Sequence, residues 1–189
     1  MKSNYAFLTA HFPELATIGS LAEDYLYSDS NTCLIKLGLF GETIVNLMMD
    51  LDGVASPEID NTHANRIKAL KREGLIAPEI DDIFYSLRKA RNRAAHEGYG
   101  SPEDAVILLE MAWKLGVWFM QVYGDWDYQP NSFEVPPHKQ LVDPNLYLKK
   151  TKAQIQAWQK QQAAAQQSLK QELAEKEALI AQLQQNLGQ

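Results

Sequence analysis

The sequence predicts an all-α protein: a helical bundle followed by a long C-terminal coiled-coil-like helix. Three observations carry this. Apolar residues recur three and four apart from Leu15 to Tyr123, the period of helices buried on one face. Helix-start chemistry separates those segments, at Ser28 to Thr32, at Asn61-Thr62 and at Ser101-Pro102. No element pattern supports a sheet, and neither a glycine-rich phosphate loop nor a zinc-ligand spacing occurs.

Asn4 to Phe12 reads as a short helix ending near Pro13, whose ring breaks a helix interior. Leu15, Ile18, Leu21, Ala22, Tyr25 and Leu26 then place a helix over residues 14–27. The cap-rich turn at Ser28 to Thr32 starts the next one, over 31–51, with a core stripe of Leu34, Leu37, Gly41, Ile44, Val45 and Met48. Gly38 and Gly41 each cost about 1 kcal/mol relative to alanine inside a helix, so the reading expects another helix to approach closely there. Glu42 is a carboxylate in an apolar segment. It is either a solvated face residue or the partner of Arg91 or another basic residue further on. Met48 and Met49 read as core filler.

A loop over 53–61 leads to a helix capped by Asn61 or Thr62 and stopped at Gly74, with His63 expected on its exposed surface. Pro78 fits the first turn of the following helix, where its missing N–H costs nothing. Asp81 and Asp82 favour that positive end, and a basic cluster occupies the negative one. Gly98 and Gly100 end it. Ser101-Pro102-Glu103-Asp104 starts the last core helix, which runs to about Tyr123 and lies antiparallel to its predecessor.

Three regions follow: a bundle over 1–124, a proline-containing strap over 125–148 and a long helix over 149–189. Pro130, Pro136, Pro137 and Pro144 break the strap, which Trp126, Tyr128 and Phe133 pin to the bundle; His138 is loop surface. The last region holds 12 Gln, and Leu169, Leu173, Ile180, Leu183 and Leu187 fit a heptad. So thin a seam calls for a partner helix, so self-association through the tail or the bundle is expected.

The formal charge is −6, but residues 149–189 hold six Lys against three acidic residues, or +3, which leaves −9 on the rest. So acidic a body argues against a broad phosphate-binding face and leaves room for a local basic patch. One cysteine, Cys33, excludes an internal disulfide and fits a reducing, cytoplasmic compartment. The start shows no signal peptide, and the apolar runs read as too short to cross a membrane.

The stretch that concentrates chemistry is Leu87 to Gly98. Asn92 and His96 are four apart and share a helix face, with Arg88 one turn earlier. Arg91 instead continues the spacing of Phe84 and Leu87 along the apolar seam. It either reaches a carboxylate at the buried edge or projects beside His96 as part of a site. Arg88, Lys89 and Arg93 are candidate nucleic-acid contacts.

Arg91-Asn92-Arg93-Ala94-Ala95-His96 resembles the HEPN motif, an Arg, a polar residue, three variable residues and a His on the penultimate helix of a small bundle. That resemblance implies an HEPN-like bundle. Many of its members are dimeric ribonucleases; others bind nucleic acid or partners without catalysis. Phe12-Pro13-Glu14-Leu15, Gly19, Ala22-Glu23, the Tyr25 to Asn31 turn, Thr32 to Leu37 and Phe40-Gly41-Glu42 are similar to the N-terminus of one class of type I restriction enzyme R subunits. The pattern of that class has an Arg where this chain has Gly38. The resemblance covers about residues 1–150. It implies a helical module ahead of a nuclease domain and an ATPase motor, with ATP and Mg used there and no cofactor or metal in this chain.

The functional expectation is therefore a non-catalytic module of a restriction–modification R subunit that docks other subunits or positions DNA, with Glu42 and Arg91 as a structural ion pair. No membrane partner is expected. The alternatives are a metal-independent HEPN ribonuclease acting as a dimer, with Arg91, Asn92 and His96 as its catalytic set, and a DNA-contacting accessory domain. In the ribonuclease, His96 would exchange the proton of a 2′-hydroxyl and Arg91 would hold the phosphate.

Overall fold

The axis of the bundle is its second helix, not the arginine-bearing one. The computed structural model describes residues 2–138, which form five α-helices: α1 (Pro13–Tyr25), α2 (Ser30–Leu51), α3 (His63–Arg72), α4 (Pro78–Glu97) and α5 (Pro102–Phe119). A 3-10 turn over Ala6–Ala10 precedes them, a π turn over Met120–Gly124 follows, and no strand forms among the described residues. The tail helix expected over 149–189 and the end of the strap, 139–148, lie outside the described residues.

α2 packs against each of the other four helices, because its apolar residues run almost around it. Leu34, Leu37, Phe40, Ile44, Val45 and Met48 are all buried. Asp29 caps its start by accepting from the Thr32 N–H at 3.1 Å, and its carboxyl is held below its ordinary range by the Thr32 hydroxyl, which donates to it at 2.6 Å, and then by that N–H. Pro13 opens α1 rather than closing the segment before it, since a proline at the first helical position gives up no bond. Ser101 caps α5 through the Asp104 N–H at 3.2 Å.

Glycines set the spacing of the layers. A Cβ on Gly19 would stand 2.2 Å from the Tyr5 ring, and one on Gly38 2.3 Å from Arg91 Cβ. Gly41 meets Leu87 and Gly116 meets Phe40. Tyr5 is fully buried, donates its hydroxyl to the Leu109 carbonyl at 2.8 Å and meets Phe40 edge-on. It thereby joins the N-terminal segment to α5. Cys33 is buried, and desolvation pushes its thiol up to about 12.

The start of the strap folds back onto the body. Tyr128 stacks on Phe7 with ring centres 5.0 Å apart, and Phe133 lies 6.0 Å from Trp113. Asn4 clasps Glu134, donating to its carbonyl at 2.8 Å and accepting from its N–H at 2.9 Å. Trp126, expected to pin the strap, is 85 % exposed. The turn of Asp125 to Tyr128 points Tyr128 inward and leaves Trp126 outside. α2 and the 102–124 segment are each long and apolar enough to cross a membrane, contrary to the reading of the apolar runs as too short; in this fold their buried faces form the core.

Candidate functional site

α4 carries the basic stretch, and the sequence holds it in place at both ends. Its first turn has Pro78, Glu79 and Asp81, and its last closes on Gly98 at φ 64, in the left-handed region that favours glycine. Asn31, at the start of α2, then locks that end. Its amide donates to the carbonyls of Ala94 at 2.7 Å and Tyr99 at 2.8 Å. Gly100 lies so close that a Cβ there would sit 2.8 Å from the Asn31 nitrogen.

Within α4 the motif divides between two faces. Ile80, Phe84, Leu87 and Ala94 are buried. Arg91 continues this side. Its aliphatic stem lies across Gly38, and Nη2 stands 4.0 Å from Glu42 Oε2. His96 follows Arg91 by five residues, about 140° further around a helix, and points outward. Asn92 and His96 are both exposed. Arg91 thus reaches toward the Glu42 carboxylate on the α2 side, while its side chain stays 47 % exposed.

Glu42 is shared. Its nearer partner is Arg66 of α3, with Nη2 3.2 Å from Oε1. The other Arg66 nitrogen, Nη1, donates to the Asn46 side chain. His63 lies one turn before Arg66, where α3 faces α2, so it is half-buried rather than the exposed surface histidine expected from its place at a helix start. Desolvation pushes its imidazole down to about 4; Glu42 opposes this, and Arg66, Arg88 and Arg91 add to it. His63 Nδ1 and Arg66 Nε are buried without hydrogen-bond partners.

The outward face is different in kind. Tyr85, Lys89, Asn92 and His96 follow one another at four, three and four residues, so they form one stripe, and all four are exposed. Arg88 flanks it, with its guanidinium carbon 5.6 Å from the Tyr85 ring centre; Lys89 Nζ is 6.0 Å away. Arg93 turns aside, lying 3.7 Å over the Tyr99 ring and 3.8 Å from Glu97.

Of the residues singled out in the sequence, the structure brings Glu42 and Arg91 to within 4.0 Å and Lys89, Asn92 and His96 onto one exposed stripe, with the half-buried Arg88 at its edge. Within one chain it sets Arg91 and His96 about 140° apart around α4. Sequence reasoning missed Asn31, Asn46, Arg66 and Tyr85 and placed His63 on the surface. The four-residue spacing of Glu42 and Asn46 and the three-residue spacing of His63 and Arg66 were the available signals. Only the packing of α3 on α2 makes them one cluster. Among the described residues no group of His, Cys, Asp or Glu gathers as a metal site.

Residues 20–123 match the family described as "Domain of unknown function (DUF4145)". The chain is also 30 % identical over 147 residues to the type I restriction enzyme EcoKI endonuclease subunit of Escherichia coli strain K12. That match covers 77 % of this chain and 12 % of the relative, so the chain spans a small part of the relative's length. No solved structure matches. The matched family segment runs from within α1 to the π turn, taking in the polar cluster and the whole of α4, and the chain belongs to this DUF4145 family.

Proposed function

We propose that this chain is the non-catalytic N-terminal helical module of a type I restriction endonuclease subunit, and that its outward α4 face positions DNA for the parent complex. Similarity to the EcoKI endonuclease subunit supports the restriction assignment. The observation that carries the rest is the division of α4. Arg91, though exposed, is turned to the α2 side by Gly38 and Glu42, whereas Lys89 stands exposed on the outward stripe with the half-buried Arg88 at its edge. Arg91 then serves to hold α4 against α2. Lys89 and the half-buried Arg88 supply a small phosphate-contacting patch on an otherwise acidic body. On this reading the ATP- and Mg-dependent chemistry belongs to other domains of the parent, the bundle is HEPN-like in form only, and docking to other restriction–modification subunits uses the remaining surface.

The test pairs two measurements on the purified chain. Metal-free cleavage of single-stranded RNA is expected to be absent. Charge reversal by Arg88→Glu with Lys89→Glu is expected to weaken binding to a fluorescein-labelled 20-base-pair duplex at least tenfold at low salt. Arg91→Ala is expected to lower the melting temperature by a few degrees, since a partly exposed ion pair contributes up to about 1 kcal/mol. RNA cleavage that disappears in His96→Ala would replace this reading with the dimeric ribonuclease. One observation favours that second reading: Asn92 and His96 are exposed on one face, open to the same face of a second copy.

A further inference from the structure

Tyr85 is the most exposed aromatic residue on any helix among the described residues, at 53 %. It lies on the outward stripe with Lys89, Asn92 and His96, away from the buried face of Phe84 and Leu87. Two cations stand over its ring at the outer range of a cation–π contact, Arg88 at 5.6 Å and Lys89 at 6.0 Å from its centre, exposed enough to be displaced by a base. Tyr99 provides the contrast. There Arg93 sits 3.7 Å over the ring and the residue is partly buried, so that ring is already occupied.

We propose that Tyr85 is a base-stacking platform and that the Tyr85–His96 stripe binds single-stranded DNA. This deepens the DNA-positioning reading and rests on it. A phenol ring on a helix surface offers a π face, and in a duplex the faces of the bases are covered by their neighbours. Only a base outside a duplex can lie on Tyr85, while the flanking cations hold the phosphates beside it. From Tyr85 to His96 the stripe rises eleven residue steps, about 16 Å, room for a short run of nucleotides. Asn92 offers an amide and His96 an imidazole along that path, groups suited to base edges and phosphate oxygens. Two cations near the strand correspond to a salt dependence of about −1.4 in the logarithmic plot for single strands.

The experiment uses the full chain with three fluorescein-labelled probes of equal length: a 20-nucleotide oligothymidine, a mixed-sequence duplex and a 20-nucleotide oligouridine. Anisotropy is read from 20 to 200 mM salt. The expected result is tighter binding to oligothymidine than to the duplex or the RNA. Tyr85→Leu, which keeps apolar bulk without the ring, is expected to weaken oligothymidine binding about 5- to 100-fold. Tyr85→Phe should stay within about twofold of the parent. Because the side chain is exposed, thermal melts of both variants should coincide with the parent's. Duplex binding that equals oligothymidine binding, is lost in Arg88→Glu with Lys89→Glu and is untouched by Tyr85→Leu overturns the stacking proposal while leaving the DNA-positioning reading in place. Tighter binding to oligouridine overturns the assignment to DNA. Binding of no probe overturns the proposal and the reading beneath it.

Discussion

His63 shows how a neighbour's packing changes a residue's chemistry. Its imidazole is pushed down to about 4 from the ordinary 6.5, mainly because charging it would strand a cation away from water beside Arg66, Arg88 and Arg91. Between those two pH values the unfolded chain binds a proton that the folded chain refuses. The unfolded state therefore gains protons as pH falls, and this contribution to stability is lost from about 6.5 down to about 4. His63→Gln should remove that contribution. Melting temperature followed from pH 7 to pH 4 is expected to fall less steeply in the variant than in the parent, and parallel curves would contradict the burial argument. Cys33 offers a second check at this scale. A buried thiol pushed up to about 12 holds almost no thiolate at neutral pH. Iodoacetamide should label it only when the chain is unfolded in urea, as read by mass spectrometry.

At the scale of elements, the contact of α2 with α4 is decided by what stands opposite each glycine. Gly38 faces Arg91 Cβ, an atom fixed to the α4 backbone, and a methyl there would lie 2.3 Å away. Gly38→Ala must push the two helices apart and is expected to cost about 1–3 kcal/mol in urea unfolding. Gly41 faces Leu87 Cδ1 at 3.3 Å, the end of a side chain that can turn. For Gly41→Ala the helix-propensity gain of about 1 kcal/mol offsets that crowding, so near-neutral stability is expected. A loss as large as that of Gly38→Ala would refute the distinction. Asn31 acts on the other end of α4. Asn31→Ala deletes two bonds to the Ala94 and Tyr99 carbonyls, and a cost of about 1–3 kcal/mol is expected. Hydrogen exchange should quicken first in the last turn of α4. Uniform quickening across the bundle would mean that Asn31 supports the whole fold instead of that turn.

For the whole described body, the N-terminal segment is part of the core. Tyr5 and Leu8 are fully buried, Gly19 is shaped to receive the Tyr5 ring, and Asn4 holds the strap through Glu134. Removing residues 1–12 uncovers α1, α2 and α5 together. Burying one large apolar side chain contributes about 1.5–3 kcal/mol, so the deletion is expected to abolish a cooperative urea transition. A truncated chain that still unfolds cooperatively at the parent's midpoint would show that the segment is dispensable. The charge distribution acts at the same scale. With −9 on residues 1–148, any polyanion approaches residues 1–148 against their net field, so the proposed contact would depend on the short cationic stretch of α4.

Much of this architecture was legible in residue order. The five helices of the described body, the capping turns at Asp29 and Ser101, Pro78 in a first turn, and close approach at Gly38 and Gly41 all follow from local rules. Periodicity and capping act between residues a few positions apart, so the chain itself encodes them. The exposed face of α4 was legible for the same reason, since Asn92 and His96 are one turn apart. Tertiary structure alone decided which helix lies at the centre, that His63 is covered, and that Glu42 turns first to Arg66 and then to Arg91. Those outcomes depend on α3 packing against α2 across the 52–62 loop, a contact between residues about twenty positions apart. Helical spacing names the face on which a side chain lies. It does not say which other helix will cover that face, and the covering helix sets the charge and hydration a side chain meets.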